Sequence, residues 1–170
     1  MTAAAPARVR PARPEEAPLL AALVERAYAP WVEAVRRRPG PMDDDYAARV
    51  AAGEAHVLEA EGGAIAGLVV VERHGDHLTL DNVAVEPARA GRGDGRALLD
   101  FVEAEARRLG LPEVRLYTHA RMARNITLYE RRGYAVTGRR AEGGFDRVFM
   151  AKRLAPPPDA ATGSAATAPR

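Results

Sequence analysis

The stretch VEPARAGRGDGRALL, residues 85–99, places Gly91, Gly93 and Gly95 between Arg89, Arg92 and Arg96, immediately before a run with helical spacing. A helix start presents backbone N–H groups that lack intrahelical acceptors, and the macrodipole adds partial positive charge at the same point. Phosphates bind there readily. The glycines let the backbone approach an oxygen with no side chain in between, and the arginines add charge. A plain strand-to-helix turn uses the same residues and stays open as an alternative. A Walker loop requires G-x-x-x-x-G-K-[ST], which this sequence lacks. A Rossmann fingerprint requires a last glycine where Arg96 stands, and it opens a βαβ unit, whereas the strands upstream here form a meander. The remaining design is a pyrophosphate loop inside an antiparallel meander.

The elements around the loop follow from hydrophobic period. Residues 14–31 carry Leu20, Leu23, Val24, Ala27, Tyr28 and Trp31 in a helical stripe, with Pro14, Glu15 and Glu16 suited to its first turn. A second, short helix is expected to start near Asp43. The runs AHVLEA, AIAGLVVVERHG and HLTLDNVAV are short and apolar or alternating, separated by EGG and HGD, and read as three antiparallel strands joined by tight turns. Beyond the loop, Gly95, Leu98, Leu99, Val102, Ala106 and Leu109 mark a long amphipathic helix ended by Gly110 and Pro112. EVRLYTHA is another strand, ARNITLYERRG a short helix closed by Gly133, and YAVTGRR with FDRVFMAKRL a closing hairpin. The order β-α-α-β-β-β-α-β-α-β-β predicts an α/β (α+β) fold, a mixed and mainly antiparallel sheet of about seven strands flanked by helices.

Composition narrows the classes. A chain of 170 residues is long enough to bury a core of its own. With no cysteine, disulfide frameworks, thiolate metal sites and cysteine nucleophiles are excluded. No segment approaches a membrane span, and the N-terminal residues lack the apolar run of a secretory signal, so a soluble, cytoplasmic protein is expected. A formal net charge of +2 is too small to argue for nucleic acid, and Lys152 is the only lysine. Residues 1–7 read as a flexible N-terminus, 8–154 as the domain, and the Ala/Pro-rich 155–170 as a disordered tail.

The segment LDNVAVEPARAGRGDGRALLDFVEAEARRLG resembles the acetyl-CoA-binding segment of the GNAT-type N-acetyltransferases, in which a strand feeds a [QR]-x-x-G-x-[GA] loop and a helix. The likeness extends over most of residues 8–154, since VRPARPEEAPLLAALVERAY is similar to the family's opening strand and helix and NITLYERRGYAVTGRR to its closing part. It implies a GNAT-like fold in a bacterial protein, acetyl-CoA as co-substrate, no metal, and direct transfer of the acetyl group to a primary amine of a small molecule or peptide. Carried over residue by residue, the pyrophosphate falls to Gly91, Arg92, Gly93, Asp94, Gly95 and Arg96, and the pantetheine arm to the backbone of Val83, Ala84 and Val85. Asn125, Leu128, Tyr129 and Arg131 of the closing helix complete the cofactor set. The sequence departs from the family pattern at Ala90, which stands at the loop head where Gln or Arg is usual, with Arg89 one residue earlier as a substitute. It departs again at Asp94, an acid beside the expected pyrophosphate, and at Met122, where a further asparagine is common.

Acyl transfer from a thioester to an amine requires a neutral amine, a donor to the developing oxyanion and an acid for the leaving thiolate. The resemblance makes Tyr129 that acid and the backbone N–H of Val83 the oxyanion donor, through a splay between the two central strands. An amphipathic core tyrosine and a fully paired strand are the structural alternatives. Asp81, two residues before Val83 and on the same face by strand alternation, is the first candidate base, and His119 the second. His56 and His77 are expected in turns or at strand ends. For the acceptor, Asp43 with its neighbours Asp44 and Asp45 is suited to a cationic amine, Trp31 and Tyr46 to apolar walls, and His119 to the same pocket. Helix capping by Asp43 is the competing explanation. A non-catalytic acyl-CoA-binding regulatory module is the alternative function. A monomer or homodimer without nucleic-acid or membrane partners is expected.

Overall fold

The computed structural model describes residues 7–156. The expected terminal segments lie almost wholly outside those residues. Strand β1 (Arg8–Pro11) leads through a single turn at Pro14–Glu16 into helix α1 (Ala17–Val35), followed by α2 (Tyr46–Ala51), β2 (Ala55–Glu59), β3 (Ile65–Arg73) and β4 (Leu78–Val85). The glycine loop then opens α3 (Asp94–Arg108), which is followed by β5 (Glu113–His119), α4 (Ala123–Arg131), β6 (Ala135–Glu142) and β7 (Phe145–Arg153). The strands form one seven-stranded sheet in the order β1-β2-β3-β4-β5-β7-β6. Every neighbouring pair is antiparallel except β4 and β5, which run parallel. The fold class read from the sequence is the one observed.

Each face of the sheet carries its own core. On one side Leu20, Leu23 and Val24 of α1 pack with Tyr46 and Val50 of α2 onto Val57, Leu68, Val70 and Ala84. On the other, Leu98, Leu99, Val102 and Ala106 of α3, spaced as an amphipathic helix requires, cover Val69, Leu80, Val114, Leu116 and Met150. Gly67 permits the close approach of α3. A Cβ there would lie 2.8 Å from the Ala84 carbonyl oxygen and 2.9 Å from Leu98 Cδ1. Helix and loop are thereby held tight against the end of β4.

Two local readings are corrected. Helix α1 continues through Pro30 to Val35 and ends at Arg36, whose φ of 57° is left-handed. The second helix starts at Tyr46 rather than near Asp43, because Asp45 is its cap and accepts from the Ala48 N–H at 3.0 Å. Asp43 belongs to the preceding single turn, Gly40–Asp43, and pairs with Arg38 at 2.6 Å.

The central opening comes from two irregularities in β4. Its pairing with β5 is confined to Leu78–Leu80 against Val114–Leu116, while both strands run on beyond. Against β3, Val70 lies opposite Asn82 and Val71 opposite Leu80, so Asp81 is an extra, bulged residue. The bulge reverses the alternation. Leu78 and Leu80 before it and Val83 and Val85 after it all pack on the α3 side, whereas Asp81 meets Arg49 of α2. The expectation that Asp81 and Val83 share a face is therefore wrong.

Candidate active site

The loop between β4 and α3 combines open space over its glycines with a row of helix amides that lack intrahelical acceptors. Gly91 and Gly93 adopt φ of 79° and 83°, which L side chains rarely take, and a Cβ on either would meet nothing within 4 Å. The first intrahelical bond runs from the Ala97 N–H to the Gly93 carbonyl at 3.0 Å. The amides of Gly93, Asp94, Gly95 and Arg96 are thus the ones left without intrahelical acceptors. Asp94 is buried, and Arg89 holds both of its oxygens, at 2.6 and 3.3 Å. The acid at the loop is therefore paired within the protein, and the guanidinium expected to replace the missing loop-head residue is turned towards it through Nε and Nη2. Arg92 and Arg96 are exposed and make no ion pair among the described residues. Ala90 contributes only backbone, its N–H donating to Pro87 at 3.2 Å.

The splay holds a cavity of about 340 Å3 lined by Asp43, Asp44, Asp81, Val83, His119, Asn125 and Tyr129, so seven of the sequence-selected residues share one space. The amide directions follow from the ladder. Glu86 donates to Ala66 O, on the β3 side, at 2.8 Å. Strand alternation then turns the N–H of Ala84 towards β3 and those of Val83 and Val85 towards the unpaired side. Ala84 accordingly has its amide committed to the sheet, against expectation, and Val83 has its amide free to face the opening.

Tyr129 reaches the cavity from α4, its ring packed edge-on against Tyr134 with centroids 5.8 Å apart. Burial pushes its hydroxyl up to about 12, so it stays protonated through the neutral range. Asn125, one helical turn earlier, places its amide 3.7 Å from Met122 Sδ, and Thr118 Oγ1 approaches the same sulfur at 3.7 Å.

Asp81 sits at the bulge with 16% of its side chain exposed, 3.2 Å from Arg49 and 3.4 Å from the Tyr117 hydroxyl. Burial pushes its carboxyl above the usual carboxylate range, and the Arg49 charge opposes that. Arg49 is shared among Asp44, Glu54, Glu72 and Asp81, which keeps any one of them from full neutralisation. His119 is a poorer base. Burial lowers it, Asp146 opposes and Arg121 adds. Its Nδ1 accepts the Arg121 N–H at 3.1 Å, so the neutral ring carries its proton on Nε2, where it donates.

Sequence reading missed several groups. Tyr28 donates to Asn82 Oδ1 at 2.6 Å, Asn82 Nδ2 donates to the Tyr46 hydroxyl at 3.0 Å, and Tyr46 donates to the Pro41 carbonyl at 2.6 Å. This chain ties the loop over the cavity to β4. Tyr46, expected as an acceptor wall, is thus a buried strut behind the cavity. Trp31 is not a wall either, since it faces a separate open groove with Asn125, Leu128 and Arg131 on the outer side of α4. Tyr117, Phe145 and Arg147 are the walls instead. Alternation in EVRLYTHA was enough to pair Tyr117 with His119, but nothing local announces Arg147. His56 is the second residue of β2, near the expected strand end, and is buried against Phe101 at 4.9 Å. His77 is in the expected turn, beside Asp76 at 2.6 Å.

The sheet is thus open between its two parallel strands, and the glycine loop with the free amides of α3 follows directly on β4, the strand that opens. Residues 20–134 match the family model described as "Acetyltransferase (GNAT) family", and the chain belongs to that family. A protein named IAA acetyltransferase from Azospirillum brasilense is 33% identical over 90 residues, which are 52% of this chain and 59% of that protein. The chain thus spans well under two thirds of that relative. A GNAT-family acetyltransferase structure from Listeria monocytogenes superposes with a TM-score of 0.71 at 21% identity, over 87% of this chain and 95% of that one. The PaiA N-acetyltransferase of Thermoplasma acidophilum, solved in complex with coenzyme A, gives 0.71 at 17% identity, over 88% and 100% of the two chains. At these identities the structural matches show the fold. Among the described residues, no helix is long and apolar enough to cross a membrane.

Proposed function

We propose that the protein transfers an acetyl group directly from acetyl-CoA to the primary amine of a small molecule or peptide. The observation that carries this reading is that β4 joins two features: Val83 lines the splay cavity with Asp81 and Tyr129, and Val85, two residues on, lies against Gly95, a Cβ there being 3.8 Å from Val85 Cγ2, among the four helix amides of Gly93–Arg96 that lack intrahelical acceptors. The loop fits a pyrophosphate, with open space over Gly91 and Gly93 and two exposed arginines. When bound, acetyl-CoA supplies an activated thioester.

The chain's own groups supply the rest. Asp81, raised by burial and set in the cavity wall, takes a proton from the incoming ammonium. The Val83 N–H faces the opening and donates to the carbonyl oxygen as charge develops there. The C–N bond forms as the C–S bond breaks, and the second amine proton goes to the departing sulfur through solvent. A hydroxyl held near 12 is a poor source of a whole proton for a thiolate but a good hydrogen-bond donor to one, so Tyr129 stabilises the leaving sulfur. Turnover is favoured over binding alone because Arg89 pairs with the acid in the loop, and a base at Asp81 and hydrogen-bond donors at Val83 and Tyr129 converge on one cavity.

Calorimetric titration with acetyl-CoA, on the wild type and on Gly93→Glu, tests the site, and free-thiol release against a panel of amines tests the reaction. Binding that the glutamate abolishes, together with amine-dependent thiol release, is expected. Binding without release to any amine would leave the binding-module reading, and no binding would remove both.

A further inference from the structure

The charges on the cavity wall are unequally satisfied. Asp43 pairs with Arg38 at 2.6 Å, Asp44 with Arg49 at 2.9 Å, and Asp81 with Arg49 at 3.2 Å. Arg147 is different. Its only charged partner among the described residues is Glu142, at 3.8 Å and itself half exposed, and its guanidinium donates no hydrogen bond. It is nonetheless held in place. The Cζ atom lies 4.3 Å from the centre of the Tyr117 ring and 5.8 Å from that of Phe145. In the β5–β7 ladder Arg147 stands opposite His119, which puts it at the cavity edge. Its side chain is 24% exposed.

A guanidinium pinned by aromatic rings, partly shielded from water and with its donors unspent is a receptor for a planar oxyanion, and carboxylate matches its fork best. Tyr117 fixes where that oxyanion lies relative to the chemistry. Its ring carries Arg147, and its hydroxyl reaches 3.4 Å from Asp81. An anion site and a proton-accepting carboxylate are therefore held about one tyrosine ring apart on one wall.

Resting on the acetyltransferase reading above, we propose that the acceptor is a free amino acid or a close analogue, its carboxylate bound by Arg147 and its amine presented at Asp81. The cavity volume of about 340 Å3 suits an acceptor of that size. A peptide N-terminus fits less well, because its first carbonyl group is an uncharged amide where Arg147 calls for a charge. A simple polyamine fits worst, since it offers Arg147 only cations.

The test compares the common L-amino acids with their carboxamides, which keep the amine and lose the carboxylate, and includes a diamine. Thiol release is followed with acetyl-CoA saturating. At least one amino acid is expected to exceed its carboxamide about 100-fold in kcat/KM. Arg147→Gln should raise KM for that amino acid by 10- to 100-fold with kcat within a few-fold, and leave the carboxamide unchanged. Arg147→Lys should recover part of the loss, as a point charge without the fork. Circular dichroism and Tm of both variants should match the wild type. Carboxamides or the diamine outcompeting every amino acid would overturn the proposal and leave the acetyltransferase reading standing, as would equal effects of Arg147→Gln on both members of a pair. No acetyl-CoA binding and no thiol release with any amine would sink the two together.

Discussion

Asp94 is the first residue of α3, with both carboxylate oxygens on Arg89, across the loop whose helix amides lack intrahelical acceptors. The ion pair converts an unfavourable acid into a neutral strut. Removing Arg89 alone leaves a buried carboxylate beside the proposed pyrophosphate position, and like charges held together repel. Arg89→Ala is expected to weaken acetyl-CoA binding about tenfold, and Asp94→Asn alone to leave it unchanged or tighter. The double variant should return to within about threefold of the wild type. Calorimetry on the four proteins completes the cycle. Additive losses would mean that Arg89 contacts the cofactor itself.

Tyr129 is positioned by packing rather than by polar partners, its ring against Tyr134. Substitution by phenylalanine removes one donor and preserves the packing. Tyr129→Phe is expected to lower kcat by roughly 100-fold while the acetyl-CoA Kd stays within a few-fold. Stopped-flow or steady-state thiol release beside calorimetry separates the two. An unchanged kcat would assign the tyrosine to the core alone.

What the sequence disclosed and what it withheld divide along the range of the interactions. Helix α3 and the glycine loop are legible because the spacing of Leu98, Leu99, Val102 and Ala106 and the start at Gly93 are set by neighbours a turn away. Tyr129 was selected through the family resemblance and Asp81 through strand alternation, and both line the cavity. The bulge at Asp81 was not legible, because it exists only in the register of β4 against β3, and alternation read along one strand gives the wrong face. Arg147 was missed because the β5–β7 ladder brings it to His119 from a distant part of the chain. Trp31 was misplaced because α1 runs on through Pro30 as one helix, which fixes its face against α4. The three acids 43–45 offered equal caps by type. The turn at Gly40–Asp43 and Arg38 take Asp43, and Asp45 is left to cap α2.

Away from the site, Glu103 of α3 is 4% exposed and binds Arg132 at 2.5 Å together with Lys152. It joins α3 to the end of α4 and to β7. Glu103→Gln leaves two partly buried cations facing a neutral amide. A loss of about 3 kcal/mol is expected, which in a domain of this size lowers Tm by roughly 6–12 °C. Thermal unfolding measures it. Below the transition acetyl-CoA binding should be unaffected, since the loop lies at the other end of α3.

Asp81 carries the opposite balance of stability and function. Burial raises its pKa in the folded chain, and for a carboxyl that sign means a stabilising contribution fully present below the unfolded value of about 3.9 and lost as pH rises through the higher folded value. At neutral pH the ionised carboxylate is therefore a cost to the fold. Asp81→Asn removes the charge, and Arg49 keeps Asp44, Glu54 and Glu72. The variant is expected to melt higher than the wild type at pH 7, by about 2–4 °C for each kcal/mol of desolvation relieved, with the gain disappearing towards pH 4. It should also lose activity roughly 100-fold at neutral pH. Without the carboxylate the amine must arrive already neutral, so the residual rate should climb with pH across the titration of the acceptor, more steeply than in the wild type. A variant that melts lower at neutral pH would show that Arg49 outweighs burial at this position, and one that keeps its rate would pass the role of base to solvent.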